Sequence, residues 1–397
     1  MRICGGRTGR TLKSMAALME VCHCYTTGSL ACSAPEGLAE GLVCDADISG
    51  VGRPAAFLAS YLKGCSRSDD ITTAVKKIHE TVRGGYACAW ESEGALYLFR
   101  DPVGIKPLYY QGPLFASEKK ALSASCTLLR PGEVVKLPGM ILHRTEIEGV
   151  TTREPEQILD SLKTSVHLNL EKDAAILFSG GIDSALLAAL SENPVISCGL
   201  EGSEDIIFSR KAARMLEKEL VEVVVTEPHI EEAAYTVLSL IEEKTLLNLE
   251  LGLLTFLVCQ QWNGRMLISG QGADELFGGY HKYEKAFYQE KNVKKIMRED
   301  FEEIHLGLER DGIIAERFDK ILRYPYLYLP LVKEALGIPA EYLFVSQRKQ
   351  ILRNVAELLS LPEEIVSRPK KALQYGSGIH KVVKNMRLKL KKISKRT

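Results

Sequence analysis

The sequence predicts two folds in one chain: a β-rich sandwich over residues 1–150, then an α/β domain over residues 151–397 with a doubly wound parallel sheet and a helical C-terminal part. Three observations predict this. The first half carries short apolar runs cut by glycines, the texture of strands joined by turns. After Thr151-Thr152-Arg153, short apolar runs alternate with longer stretches of helical spacing. The last hundred residues are mostly helical in pattern.

The elements follow in order. "GGYACAW", "GALYLFR", "PLYYQGPLFAS" and "GEVVKLPG" are expected strands of the first half. In the second half "EPEQILDSLKTSVHLNL" has helical spacing and "DAAILF" reads as a buried strand. "NPVISCGL" and "LVEVVV" are further strands, with the helical "SRKAARMLEKEL" between them. "ELGLLTFLVCQQW" is an apolar helix and "RMLISG" a strand. Strand and helix in alternation imply a parallel sheet covered on both faces. There is no internal repeat and no low-complexity segment.

Composition narrows the function classes. A chain of 397 residues, 46% hydrophobic, has material for two or three cores. Lys+Arg and Asp+Glu both number 51, so net charge steers it to no partner. The run Leu251–Cys259 is too short to span a bilayer, and Glu20 interrupts the apolar patch of the basic N-terminus. Eight of ten cysteines fall in the first 130 residues without regular spacing, which suits reduced thiols and a cytoplasmic location. Cys22-His23-Cys24 with Cys32 and Cys44 match no zinc spacing and are read as thiols. The tail from Lys381 has eight Lys or Arg, no acid and no interleaved aromatic residue. It is read as a solvated helix rather than a nucleic-acid contact.

Chemistry concentrates in "LFSGGIDSALLAAL", residues 177–190. A strand stops at Ser179-Gly180-Gly181, and Ser184 opens a helix whose N-terminus suits an anion. The lysine of a Walker loop is missing, and Asp183 should repel phosphate unless it holds Mg²⁺. A second strand ends in "LISGQGADELFGGYHKY", with acids at Asp274 and Glu275. Two such strand ends would hold one nucleotide and its metal between them.

On these residues the chain resembles a known family. "LFSGGIDS" is similar to the PP-loop of the ATP pyrophosphatases, and "SGQGADELFGGY" to the second signature of the asparagine synthetase family. "RDPVGIKPLYY" with "FASEKKAL" resembles that family's glutaminase-type domain, of the N-terminal-nucleophile hydrolase fold. "LPEEIVSRPKKALQYGSG" resembles its C-terminal lysine segment. The resemblance implies ATP and Mg²⁺ as cofactors. A carboxylate attacks the α-phosphate, pyrophosphate leaves, and an amine or ammonia takes the acyl group. It implies that Ser179, Gly180, Gly181, Asp183 and Ser184 hold pyrophosphate, and that Asp183 and Asp274 carry the metal. Phe178, Cys198, Ser269 and Gly270 would line the adenosine pocket, and Lys370 would stabilise charge at the reacting centre. A small carboxylate and an amine donor are the expected partners, without membrane; a homodimer is compatible.

Departures from the pattern carry their own expectations. Glutaminases of this type use an N-terminal cysteine, whereas this chain starts Met1-Arg2-Ile3-Cys4. No stretch like "RLSI" or "NGEIYN" is found, and Arg83-Gly84 stands where relatives read "DG". The first domain is therefore expected to keep its fold and lack glutaminase activity. Gln271 replaces the glutamate of "SGEG", and Tyr328 the aspartate of "PFLD". Gln271 would face the acceptor without acting as a base. Arg310-Asp311 is given no role. The alternatives are a tRNA-modifying enzyme, a lactam-forming synthetase and a non-catalytic ATP-binding regulator.

Overall fold

The computed structural model describes residues 2–6, 15, 25–27, 30–32, 35–369 and 373–393. The chain forms two compact units, Met1–Ile147 with Glu302–Glu309, and Glu148–Phe301 with Arg310–Thr397.

The first unit holds two antiparallel sheets. One contains β1 (Ile3–Gly6), β2 (Tyr25–Thr27), β3 (Leu30–Cys32), β8 (Tyr109–Gln111), β9 (Leu114–Ala116) and β10 (Thr127–Leu128), in the order β10-β8-β9-β1-β3-β2. The other contains β4 (Leu38–Ala39), β5 (Leu42–Ile48), β6 (Gly84–Ser92), β7 (Ala95–Arg100), β11 (Glu133–Lys136) and β12 (Met140–Arg144), in the order β12-β11-β7-β6-β5-β4. Strand alternation builds two cores from the second sheet. Val43, Ala87, Ala89, Leu96 and Leu98 face Ile3, Leu30 and Phe115 of the first sheet. Their neighbours Cys44, Tyr86, Cys88, Tyr97 and Phe99 face two helices, α1 (Pro54–Leu62) and α2 (Ser68–Thr81). The sandwich is as expected. The two helices on its outer face were not, although Ile71, Val75 and Ile78 of α2 keep helical spacing.

The second unit is built on the parallel strands β13 (Ala174–Leu177), β14 (Val195–Leu200), β15 (Leu220–Val225), β16 (Met266–Ile268) and β17 (Ile321–Arg323). Their order is β15-β14-β13-β16-β17. The chain runs outward from β13 in one direction, then returns to its other side at β16. The switch point of this doubly wound sheet therefore lies between β13 and β16, where open α/β sheets place ligands at the carboxyl ends. The central strands AAIL and MLI are apolar throughout because both faces are covered. One face packs on α6 (Glu227–Leu240), α7 (Leu246–Gln261) and the second half of α11 (Ile304–Glu316) through Val237, Leu253, Leu257 and Ile314. No helix among the described residues is long and apolar enough to cross a membrane.

Candidate active site

Both glycine-rich stretches of the sequence lie at the switch point. β13 ends at Leu177, Phe178 is buried behind it, and Ser179-Gly180-Gly181 turns the chain into α4 (Ile182–Ala189). Gly180 adopts a φ of +74°, and a Cβ there would lie 2.6 Å from the ring of Phe208. Glycine is therefore required by both backbone and packing. No side chain caps α4, so its first N–H groups keep their capacity for an anion. The Ser184 hydroxyl donates to the Gly181 carbonyl at 3.1 Å and braces the turn.

The second tip meets the first. Ser269 is buried, its Oγ accepts the Gln271 amide at 3.2 Å, and a Cβ on Gly270 would sit 3.5 Å from Asp183 Cβ. The turn then enters α8 (Ala273–Phe277), which carries Asp274. Tyr326, after β17, donates its hydroxyl to the Asp183 carbonyl at 2.9 Å and holds the first tip from below.

A residue without a sequence signal joins the two acids. The Lys349 ammonium donates to Asp183 Oδ1 and Oδ2 at 2.7 and 2.6 Å, and lies 2.6 Å from Asp274 Oδ1. It is 1% exposed and has a left-handed backbone just before α13 (Gln350–Leu358). A Cβ on Gly279 would overlap both Asp274 Oδ1 and Lys349 Cε, so glycine there lets the pair close. These are the two carboxylates expected to carry a metal, and a buried ammonium lies between them. Among the described residues no three His, Cys, Asp or Glu converge as a metal centre. Two carboxylates converging on one cation still fit Mg²⁺, which takes its remaining ligands from phosphate oxygens and water.

Gln271 is anchored from the side. Its Nε2 donates to Asp311 Oδ2 at 2.8 Å. Arg310 grips the same carboxylate through Nε and Nη2 at 2.9 and 2.7 Å, and Thr255 Oγ1 donates to it at 2.9 Å. Arg310-Asp311, given no role from sequence, is thus the anchor of a site residue. A signal was present: Asp311 falls in line with Ile304, Leu308 and Ala315, an apolar stripe in which a carboxylate must be paired.

The segment before Lys370 closes another side. Arg368 donates through Nη1 to the Ser179 carbonyl and through Nη2 to Asp205 Oδ1 at 3.1 Å, with its guanidinium 4.0 Å above the ring of Phe208. The Ser377 carbonyl accepts the Leu200 amide at 3.0 Å, which places residues 373–378 at the end of β14. Cys198 lies on that strand, and burial pushes its thiol up to about 12, so it offers apolar surface rather than a nucleophile. Lys370 itself lies outside the described residues.

In the first unit, Cys4 is buried within β1, opposite Ala31 and Ala116. Arg83 donates to the carbonyls of Glu80 and Val82 at 2.6 and 3.3 Å and so closes the end of α2. Cys22, His23 and Cys24 lie outside the described residues.

Known proteins share this organisation. A family model described as asparagine synthase matches residues 157–321 and 290–395, and a glutamine amidotransferase domain model matches residues 71–149. A Methanocaldococcus jannaschii protein named "Putative asparagine synthetase (glutamine-hydrolyzing) 1" is 30% identical over 79% of this chain and 74% of its own length. Glutamine-hydrolyzing asparagine synthetase 3 of Arabidopsis thaliana is 26% identical over 70% of this chain, which spans 56% of the plant protein. An asparagine synthetase domain-containing protein of Saccharomyces cerevisiae is 23% identical over 85% of this chain and 78% of its own. With the strand tips, their acids and these matches together, the chain belongs to the asparagine synthase family.

Proposed function

We propose that the protein is an ATP-dependent carbon–nitrogen ligase that adenylates a small carboxylate, aspartate or a related acid, and passes the acyl group to ammonia or another amine. The observation that carries this reading is the meeting of Gly270 with Asp183 at the switch point, which puts two glycine turns and two acids around one space. The first N–H groups of α4, with Ser179 and Ser184, hold the β- and γ-phosphates. The substrate carboxylate forms its bond to the α-phosphorus as the bond to pyrophosphate breaks. Phe178, Cys198 and the Ser269-Gly270 turn border the adenosine. Bound between Asp183 and Asp274, Mg²⁺ would neutralise charge on the leaving pyrophosphate. Lys349 balances the two acids before substrate arrives and supplies the positive charge that the glycine loop lacks. Lys370 follows Arg368 in the chain by two residues and is assigned to the reacting acyl group. The first unit is read as lacking glutaminase activity, because Cys4 sits inside a paired strand and Arg83 is spent on a helix end.

ATP–pyrophosphate exchange over a panel of carboxylic acids, aspartate included, tests the reading. At least one acid should drive exchange, and ammonium should then convert the acyl group to an amide with release of AMP. Nucleotide binding without exchange on any acid would instead favour the regulator.

A further inference from the structure

Two cysteines of the first unit face each other across neighbouring strands. Cys44 of β5 and Cys88 of β6 are directly opposite in the antiparallel register, both are 0% exposed, and both are free thiols. The backbone bonds fix which kind of opposite pair they form. In the same register the Ser49 amide donates to the Arg83 carbonyl at 3.3 Å, and the Glu91 amide to the Gly41 carbonyl at 2.7 Å. Bonded pairs recur at every second position of an antiparallel ladder, so Cys44 and Cys88 fall between them as a non-hydrogen-bonded pair. Such pairs bring their Cα atoms to about 4.5 Å, inside the roughly 4.4–6.8 Å span of disulfides. The two thiols already meet as hydrogen-bond partners. The face they share is otherwise the apolar core under α1 and α2, with Leu58, Val75 and Ile78.

We infer that Cys44 and Cys88 are an oxidation site, where a hydroperoxide forms a disulfide that clamps β5 to β6 beneath the two helices. Whichever sulfur is deprotonated attacks the peroxide, the O–O bond breaks, and water leaves behind a sulfenic acid. The second sulfur attacks the first, the S–O bond breaks, and a second water leaves. Two thiols lose two electrons and two protons, and one peroxide takes them up as two waters. Access comes from the edge of the sheet. Among the described residues β5 is paired on its outer side only at Leu42 and Val43, so Cys44 begins the stretch that has a neighbour on one side alone. Edge segments open locally at lower cost than central ones. Burial pushes the Cys88 thiol well up, so thiolate is scarce and the reaction waits on that opening. The clamp closes a loop of chain that contains α1 and α2, and so removes conformations from the unfolded state. Both cysteines belong to the first unit, and nothing in the ligase reading depends on them.

The test uses the full-length protein with hydrogen peroxide as the probe. Accessible cysteines are first blocked on the folded protein with iodoacetamide, and the reagent is removed. After peroxide, non-reducing peptide mapping should show Cys44 joined to Cys88. The joining should speed up several-fold in urea below the unfolding transition, and again on raising the pH from about 7 to about 9. The urea midpoint of the first unit should rise by about 1 M and return on treatment with dithiothreitol. Cys44→Ala and Cys88→Ala should each abolish the joined peptide and the shift. Recovery of both cysteines as free thiols after peroxide in urea, or each oxidised separately to a sulfinic acid, would overturn the proposal. Mapping reads that outcome on the parent protein, whether or not either variant folds. A joined peptide with an unchanged midpoint would overturn the clamp.

Discussion

Each unit contains a glycine loop that directs backbone amides towards negative charge, and the two differ in where that charge comes from. In the first unit Asp101 fills its own loop. Its Oδ1 accepts the amides of Val103, Gly104 and Ile105 at 3.1, 2.6 and 3.0 Å, and its Oδ2 those of Tyr86 and Lys106 at 3.2 and 3.3 Å. In the second unit the loop also carries an aspartate, but Asp183 is drawn off by Lys349 and leaves the start of α4 without a side-chain cap. The first arrangement is self-contained and stabilises the fold. In the second, the carboxylates of Asp183 and Asp274 close on the buried Lys349 ammonium, and the first amides of α4 are left without a side-chain acceptor. A glycine turn with an acid beside it is therefore not a site by itself; the direction of the carboxylate decides.

The sharpest way to break this contrast is to remove each aspartate in turn. Asp183→Ala should lower ATP–pyrophosphate exchange by at least about 100-fold, as loss of a group that organises transition-state charge does. Its unfolding curve should stay close to that of the parent, because Lys349 keeps Asp274 as partner. Asp101→Asn should do the reverse. The NH₂ group would face amide donors, the unit should lose about 3 kcal/mol in urea unfolding, and exchange should be largely retained at temperatures where the unit stays folded. If Asp183→Ala proves as destabilising as Asp101→Asn, the distinction drawn between the loops is wrong.

Two histidines held neutral by burial should make the first unit lose stability in acid. Burial holds the His79 imidazole down to about 3, and burial with the Arg100 charge holds His305 down to about 4, against a usual 6.5. Both belong to the first unit. The folded form refuses a proton that the unfolded chain accepts below about 6.5, so stability is full above that pH and falls as pH drops towards 4 and then 3. Urea unfolding of the first unit should show this acid loss, and His79→Asn should flatten it. A profile unchanged by that substitution would remove His79 from the account.

How much of this could be read from sequence follows from local chemistry. The strands β13 and β16 were legible because uninterrupted apolar runs stop abruptly at Ser-Gly. Asp183, Asp274 and the glycine turns were legible because acids so close to a glycine turn at a strand end demand an explanation. Lys349 was not. It lies in "VSQRKQIL", among residues that look like a solvated surface, and its burial depends on carboxylates 166 residues before it in the case of Asp183. Gln271 was visible as an unusual residue, while its partner Asp311 needed the helical stripe to be followed past its apolar members. Segment 302–309, grouped with the first unit, has no compositional break to mark it.

The grip of Arg368 has a consequence for how fragments of this chain behave. A product ending near residue 360 would retain both glycine-rich signatures and still look complete to a pattern search. It would lack the guanidinium that covers Phe208, the very ring that dictates Gly180, and the Ser179 carbonyl would lose its donor. Recognisable spelling and working shape are thus encoded nearly two hundred positions apart, so a shortened copy can keep the first after losing the second.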